Sequence, residues 1–134
     1  MKDLPSVPPG GQRATRTVLL VEDQESVALA VRRILSRQGY SVLTASDGSE
    51  ALKLMQASAA PFDVVVTDLT MPKMGGLELI RRLSELAPDL PIVYMSGYAD
   101  GEMDLDLAQH TFLQKPFTID ALAAAVRTAL VGRA

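Results

Sequence analysis

The chain has no cysteine and no tryptophan, and a single histidine, His110, in 134 residues. Without cysteine, disulfides and thiolate metal sites are excluded, although the compartment is not thereby fixed. His110 has no second histidine to share a metal with and is expected at the surface. No apolar run approaches the roughly 18 residues that a membrane span needs, and Met1-Lys2-Asp3-Leu4-Pro5 lacks the apolar core of a signal peptide. Positive charge is not in excess either. Thirteen basic residues face 16 acidic ones, a net charge of −3, which argues against nucleic acid or an anionic membrane as partner. The expectation is a cytoplasmic protein.

What the chain does have is a core. Apolar residues make up 48% of the sequence, enough for one globular domain at this length. The head "MKDLPSVPPGGQRATR" (1–16) holds proline and glycine without apolar periodicity and reads as a tail or linker remnant. Short apolar runs of strand type follow at 17–22, 41–45, 63–67, 91–96 and 111–114. Helical periodicity occupies the gaps. Over 26–38, Val27, Val31, Ile34 and Leu35 share a face, and Gly39 stops the helix. From Asp47 the spacing to Glu50 predicts a capping box. Over 77–86, Leu79, Ile80, Leu83 and Leu86 are expected to face inward, and Thr118 to cap the helix over 118–130. Gly75 and Gly76 are expected to serve a turn with positive φ. Tyr94, Met95 and Met55 read as core, Arg32-Arg33 and Arg81-Arg82 as solvated helix faces.

Strands apolar on both faces, alternating with helices, predict a doubly wound α/β domain with a five-stranded parallel sheet covered by helices on both faces. Ligands of such sheets bind beyond the carboxyl ends of the strands. Those ends read Glu22-Asp23, Asp68, Ser96-Gly97 and Lys115-Pro116, so three carboxylates, a hydroxyl and an ammonium should converge. Carboxylates so close together stay ionised only around a cation. Hard oxygen donors without His or Cys point to Mg²⁺ and a partner phosphate, with Lys115 and Ser96 suited to phosphoryl oxygens. The Lys115–Pro116 bond is a candidate for cis.

These residues resemble the receiver domain of two-component response regulators, a flavodoxin-like fold, over about 17–131. The matching motifs are the acidic pair Glu22-Asp23, "DLTMPKMGG" from Asp68, Ser96-Gly97, and "FLQKPF" from Phe112. The resemblance implies that Asp68 accepts a phosphoryl group from a histidine kinase or a histidine phosphotransfer domain. It implies Mg²⁺ held by Glu22, Asp23, Asp68 and the Thr70 backbone carbonyl, and Lys115 on the phosphoryl group. Ser96 and Phe112 would form the conformational switch; Thr70 and Tyr98 would tune phosphate lifetime. The module would phosphorylate and dephosphorylate itself to signal, as a monomer or weak dimer, without being an enzyme in its own right. "YMSGYADGE" and "FLQKPFT" look most like C-terminal receivers of hybrid sensor histidine kinases, which would make the head an interdomain linker.

Rival readings differ in what they require. A haloacid-dehalogenase phosphatase needs a second acid two residues after its nucleophile, and Asp68-Leu69-Thr70 lacks it. A flavodoxin needs a phosphate loop after the first strand, where Glu22-Asp23-Gln24-Glu25 would repel the anion. Against a receiver kept only for docking, none of the site residues is missing; Asp23 serving partly as a helix cap stays open. Residues 98–110 leave room for a helix of little more than one turn and are expected to be the least ordered part of the domain.

Overall fold

β-branched residues supply half of the strand positions, and valine and isoleucine are concentrated in the first, third and fourth strands. In the computed structural model, which describes residues 15–57, 62–70, 74–97 and 109–132, the strands are β1 (Thr17–Val21), β2 (Ser41–Ala45), β3 (Val64–Asp68), β4 (Ile92–Ser96) and β5 (Thr111–Gln114). Between and after them lie α1 (Glu25–Arg37), α2 (Gly48–Ala57), α3 (Gly76–Leu86) and α4 (Ile119–Gly132). Every pairing is parallel and the strand order is β2-β1-β3-β4-β5. This is the doubly wound, flavodoxin-like architecture expected from the sequence. The segment 98–108, where a short helix is expected, lies outside the described residues.

Alternation along the strands sorts the core into two layers. Val18, Leu20, Val64, Val66, Val93, Met95 and Leu113 pack against Val31 and Leu35 of α1 and Leu122 and Val126 of α4. Leu19, Val21, Val65, Ile92 and Tyr94 pack against Ala51 of α2 and Leu79, Ile80 and Leu83 of α3. The central strands are buried on both faces, as a covered parallel sheet requires. The edge strand β2 is not: Leu43 is 44% exposed and Thr44 is exposed, because only one neighbour covers an edge.

Several local expectations hold and several shift. Gly39 has φ +98° at the end of α1, and Tyr40 N–H closes onto the Leu35 carbonyl at 3.1 Å. Thr118 Oγ1 accepts the Ala121 N–H at 3.0 Å, the expected cap of α4. At α2, Asp47 Oδ1 accepts the Glu50 N–H at 2.8 Å, but Glu50 reaches back to Ser46 N and Oγ, one residue before the cap. Two orphan donors are satisfied by a displaced box. Leu86, the last residue of α3, does not face inward and is 58% exposed. His110, expected at the surface, is half-buried. Arg32, Arg33, Arg81 and Arg82 are exposed, and Tyr94 and Met95 are buried, as anticipated.

The contrast within α3 is testable by chemical denaturation. Leu83→Ala should cost about 2–5 kcal/mol, whereas Leu86→Ala should stay within about 0.5 kcal/mol of the parent. Equal losses would place Leu86 in the core after all.

Candidate functional site

Three strand ends bring their charged residues to one side of the sheet because their side chains share one parity. Glu22 follows Leu20 by two residues, Asp68 follows Val66, and Lys115 follows Leu113, all members of the layer under α1 and α4. Parallel register keeps them level: Val21 stands beside Thr67, and Asp68 beside Met95, which in turn stands beside Leu113. The Lys115 N–H donates to the Ser96 carbonyl at 2.8 Å, and the Lys115–Pro116 bond is cis.

The result is a compact charge cluster. Carboxylate oxygens of Glu22, Asp23 and Asp68 all lie within 4.8 Å of one another. Lys115 Nζ donates to Asp68 Oδ2 at 2.9 Å and to Glu22 Oε1 at 3.4 Å. Thr70 N–H donates to Asp68 Oδ1 at 3.1 Å, so both oxygens of that carboxylate are held. Glu22 Oε2 accepts the Gln24 N–H at 3.1 Å. The residue before α1 is Gln24, with no side-chain cap; no capping bond from Asp23 supports its alternative reading as a cap. Glu22 takes the backbone bond instead, and Asp23 stays exposed at the rim.

Burial decides the electrostatics. Glu22 is 3% exposed and Asp68 6%. Burial is the main force raising the Glu22 pKa above its usual 4.5, with the Asp68 charge adding to it and the Gln24 N–H and Lys115 opposing. Lys115 is raised: burial works against its charge, but the hydrogen bond and charge of Asp68, with Glu22 behind it, outweigh that. Three carboxylates against one ammonium leave a formal deficit of two, confined to a few ångströms. A hard divalent cation fits that deficit and the all-oxygen donor set, and Mg²⁺ is the ion such a set suits.

Two expected members fall on the other parity of the strands. Ser96 is buried at the end of β4, but by alternation its side chain belongs with Ile92 and Tyr94 on the opposite face. Phe112 is on that face too, 38% exposed, its ring centroid 5.3 Å from that of Tyr94. Gly75 and Gly76 do not have positive φ; among the described glycines only Gly39 does. Gly76 instead sits directly against the Asp68–Leu69 backbone, where a side chain would collide. The Gly-Gly pair in the sequence signalled a backbone constraint without revealing which kind.

The model of the response regulator receiver domain matches residues 18–127 of this chain. The chain belongs to the response regulator receiver family. A sensor kinase, CckA of Brucella abortus (strain 2308), is 40% identical over 117 residues, which are 85% of this chain and 12% of that one. The solved receiver domain of a hybrid histidine kinase CckA is 34% identical, with a TM-score of 0.72 over 85% of this chain and 98% of that one. A response regulator, TrrA of Thermotoga maritima, solved in complex with Mg²⁺–BeF, is 28% identical with a TM-score of 0.78, covering 86% of this chain and 99% of that one. The chain thus spans about an eighth of one curated relative, and about half of the regulators that match at similar identity. As a receiver it is a module of two-component signalling, its acidic pocket is typical of a phosphoacceptor site, and its family implies a histidine kinase as the class of partner. Among the described residues no helix is long and apolar enough to cross a membrane.

The raised Glu22 pKa makes a pH-dependent prediction for the metal-free receiver. The unfolded chain releases this proton near 4.5, the folded one at higher pH, so the ionised form destabilises the fold. That penalty is fully present above the folded value and fades as the pH falls through it. Metal-free Glu22→Gln should therefore unfold at higher denaturant than the parent at pH 7, and the gap should close toward pH 4.5. A gap independent of pH would mean that charge is not its cause.

Proposed function

We propose that this receiver, acting through residues 17–131, takes a phosphoryl group onto Asp68 from the phosphohistidine of a histidine kinase or a histidine phosphotransfer domain. The observation that carries the reading is the Lys115 ammonium held between Asp68 and Glu22 inside a three-carboxylate cluster. One carboxylate oxygen of Asp68 attacks phosphorus, and the bond to the histidine nitrogen breaks with its electron pair going to the imidazole. The Thr70 N–H and Lys115 fix the plane of the carboxylate, so the nucleophile is oriented before the donor arrives. Lys115, one residue beyond β5, is in place to balance charge on the phosphoryl oxygens of the product.

Glu22, Asp23, Asp68 and the Thr70 backbone carbonyl are the groups that would hold Mg²⁺. When bound, the ion would supply the positive charge that three carboxylates and a phosphoryl group together require. Ser96 and Phe112 form the switch in this reading: phosphorylation draws the Ser96 hydroxyl toward the new anion and frees room for the Phe112 ring beside Tyr94. Likeness to the CckA receivers supports a hybrid kinase as the parent chain and residues 1–16 as linker.

Intact-mass spectrometry after acetyl phosphate and Mg²⁺ tests the acceptor. The parent should gain one phosphoryl group and Asp68→Asn none; a gain that persists in the variant would refute the assignment.

The metal set has its own test. Asp23→Asn should weaken Mg²⁺ binding, followed by NMR titration, at least tenfold, or about 1.4 kcal/mol. Unchanged affinity would leave Asp23 as an ordinary rim acid.

A further inference from the structure

The β3–α3 connection has a steric feature that the charge cluster does not explain. Gly76, the first residue of α3, lies so close to the end of β3 that a Cβ built on it would strike the Asp68 carbonyl oxygen. The same atom would lie 2.6 Å from Leu69 Cα and 3.0 Å from the Asp68 carbonyl carbon. All three are backbone atoms, which cannot swing aside as a side chain does. Gly48 makes a useful contrast. The three atoms nearest to a Cβ there all belong to the flexible Met74 side chain, with Cγ and Sδ at 2.8 Å. The close approach is sealed by the Gly76 N–H, which donates to the Leu69 carbonyl at 2.9 Å. From within the sheet, the fully buried Thr67 donates its hydroxyl to the same Asp68 carbonyl at 3.1 Å.

We infer that Gly76 and Thr67 are positioning residues for the acceptor, clamping the Asp68 peptide from two sides. The inference rests on the reading of Asp68 as the nucleophile and adds what holds it in place. The carboxylate hangs from the clamped residue, and both of its bonds, to Lys115 Nζ and to Thr70 N–H, depend on where that residue sits. A methyl group at position 76 must push the 68–70 segment or the first turn of α3 away by a distance on the order of 1 Å, enough to cost tenfold or more in a positioned reaction. Neither residue touches phosphorus or metal. Their effect is transmitted through the Asp68 main chain.

The test measures two things on Gly76→Ala, Thr67→Val, Thr67→Ser and a core control, Ile80→Val in the same helix. The first is the rate of Asp68 labelling by acetyl phosphate at saturating Mg²⁺. The second is the set of amide NMR shifts of residues 68–70 without metal. Gly76→Ala should slow labelling at least tenfold and Thr67→Val severalfold, with both moving the 68–70 amides. Thr67→Ser, which keeps the hydroxyl, should restore both readouts, and Ile80→Val should leave both close to the parent. Parent-like labelling and parent-like shifts in the two clamp variants would overturn the inference while leaving Asp68 as acceptor. Should the parent itself not be labelled at Asp68, the functional reading fails, and the amide shifts alone decide whether the clamp exists. Should Gly76→Ala not fold, Thr67→Val and its serine rescue carry the test, and parent-like behaviour of Thr67→Val overturns it.

Discussion

Burying Glu22 and Asp68 at one end of a parallel sheet is tolerable only because Lys115 reaches both of them. Each carboxylate is almost fully removed from water, where an unpaired charge would cost several kcal/mol. The lysine is the longest-range contact in the cluster, 93 residues from Glu22 and 47 from Asp68. Everything that aims it is therefore a constraint on the whole fold. β5 has only four residues, and Leu113 is the one it buries. That side chain seats the strand in the layer under α1 and α4, and the Lys115 N–H on the Ser96 carbonyl fixes the residue that carries the ammonium. The strand order brings β1, β3 and β5 ends together on a single edge, with β4 between the last two.

The sheet also separates two roles by parity. Glu22, Asp68 and Lys115 fall with the residues facing α1 and α4, whereas Ser96, Tyr94 and Phe112 fall with those facing α2 and α3. In the proposed switch, an event at Asp68 must therefore cross from one face to the other at the ends of the strands. Ser96 is well placed for that crossing. Its carbonyl is bonded to the residue carrying the ammonium, its side chain belongs to the opposite face, and β5 presents Phe112 two residues before Gln114 on that face. The aromatic ring is 38% exposed, whereas Met95 on the other side is fully buried.

Much of this was legible in the sequence because it was written in residue types at periodic spacings. Valine runs and helical periodicity placed the strands and helices to within a residue or two, and the charged residues ending three of those strands located Glu22, Asp68 and Lys115 together. What was not legible depended on distance in space. Leu86 continues the apolar stripe of α3 in the sequence, yet at the helix's last residue it is left 58% exposed. The strands were expected to be covered on both faces, yet β2 lies at an edge and leaves Leu43 44% exposed. Asp47 and Glu50 have capping-box spacing, yet Ser46 offers Glu50 two donors at once. Gly76 is the sharpest case. Its contribution is an atom it does not have, and no pattern of neighbouring residues distinguishes a glycine needed for φ from one needed for clearance.

The same clearance links stability to chemistry at this site. Without metal, the cluster holds like charges together: burial and the neighbouring Asp68 charge both disfavour an ionised Glu22, and the formal deficit of two is carried by the fold. A relaxed loop between β3 and α3 would let those charges drift apart into water and relieve the strain. The Gly76 N–H on Leu69, the Thr67 hydroxyl on the Asp68 carbonyl and the Thr70 N–H on the carboxylate oppose that drift. Local packing thus keeps an electrostatically unfavourable arrangement in the geometry that the proposed metal and phosphoryl group would use, so that little reorganisation would remain on binding. The backbone clamp and the charge cluster are consequently one device, with sterics supplying the rigidity that electrostatics alone would undo.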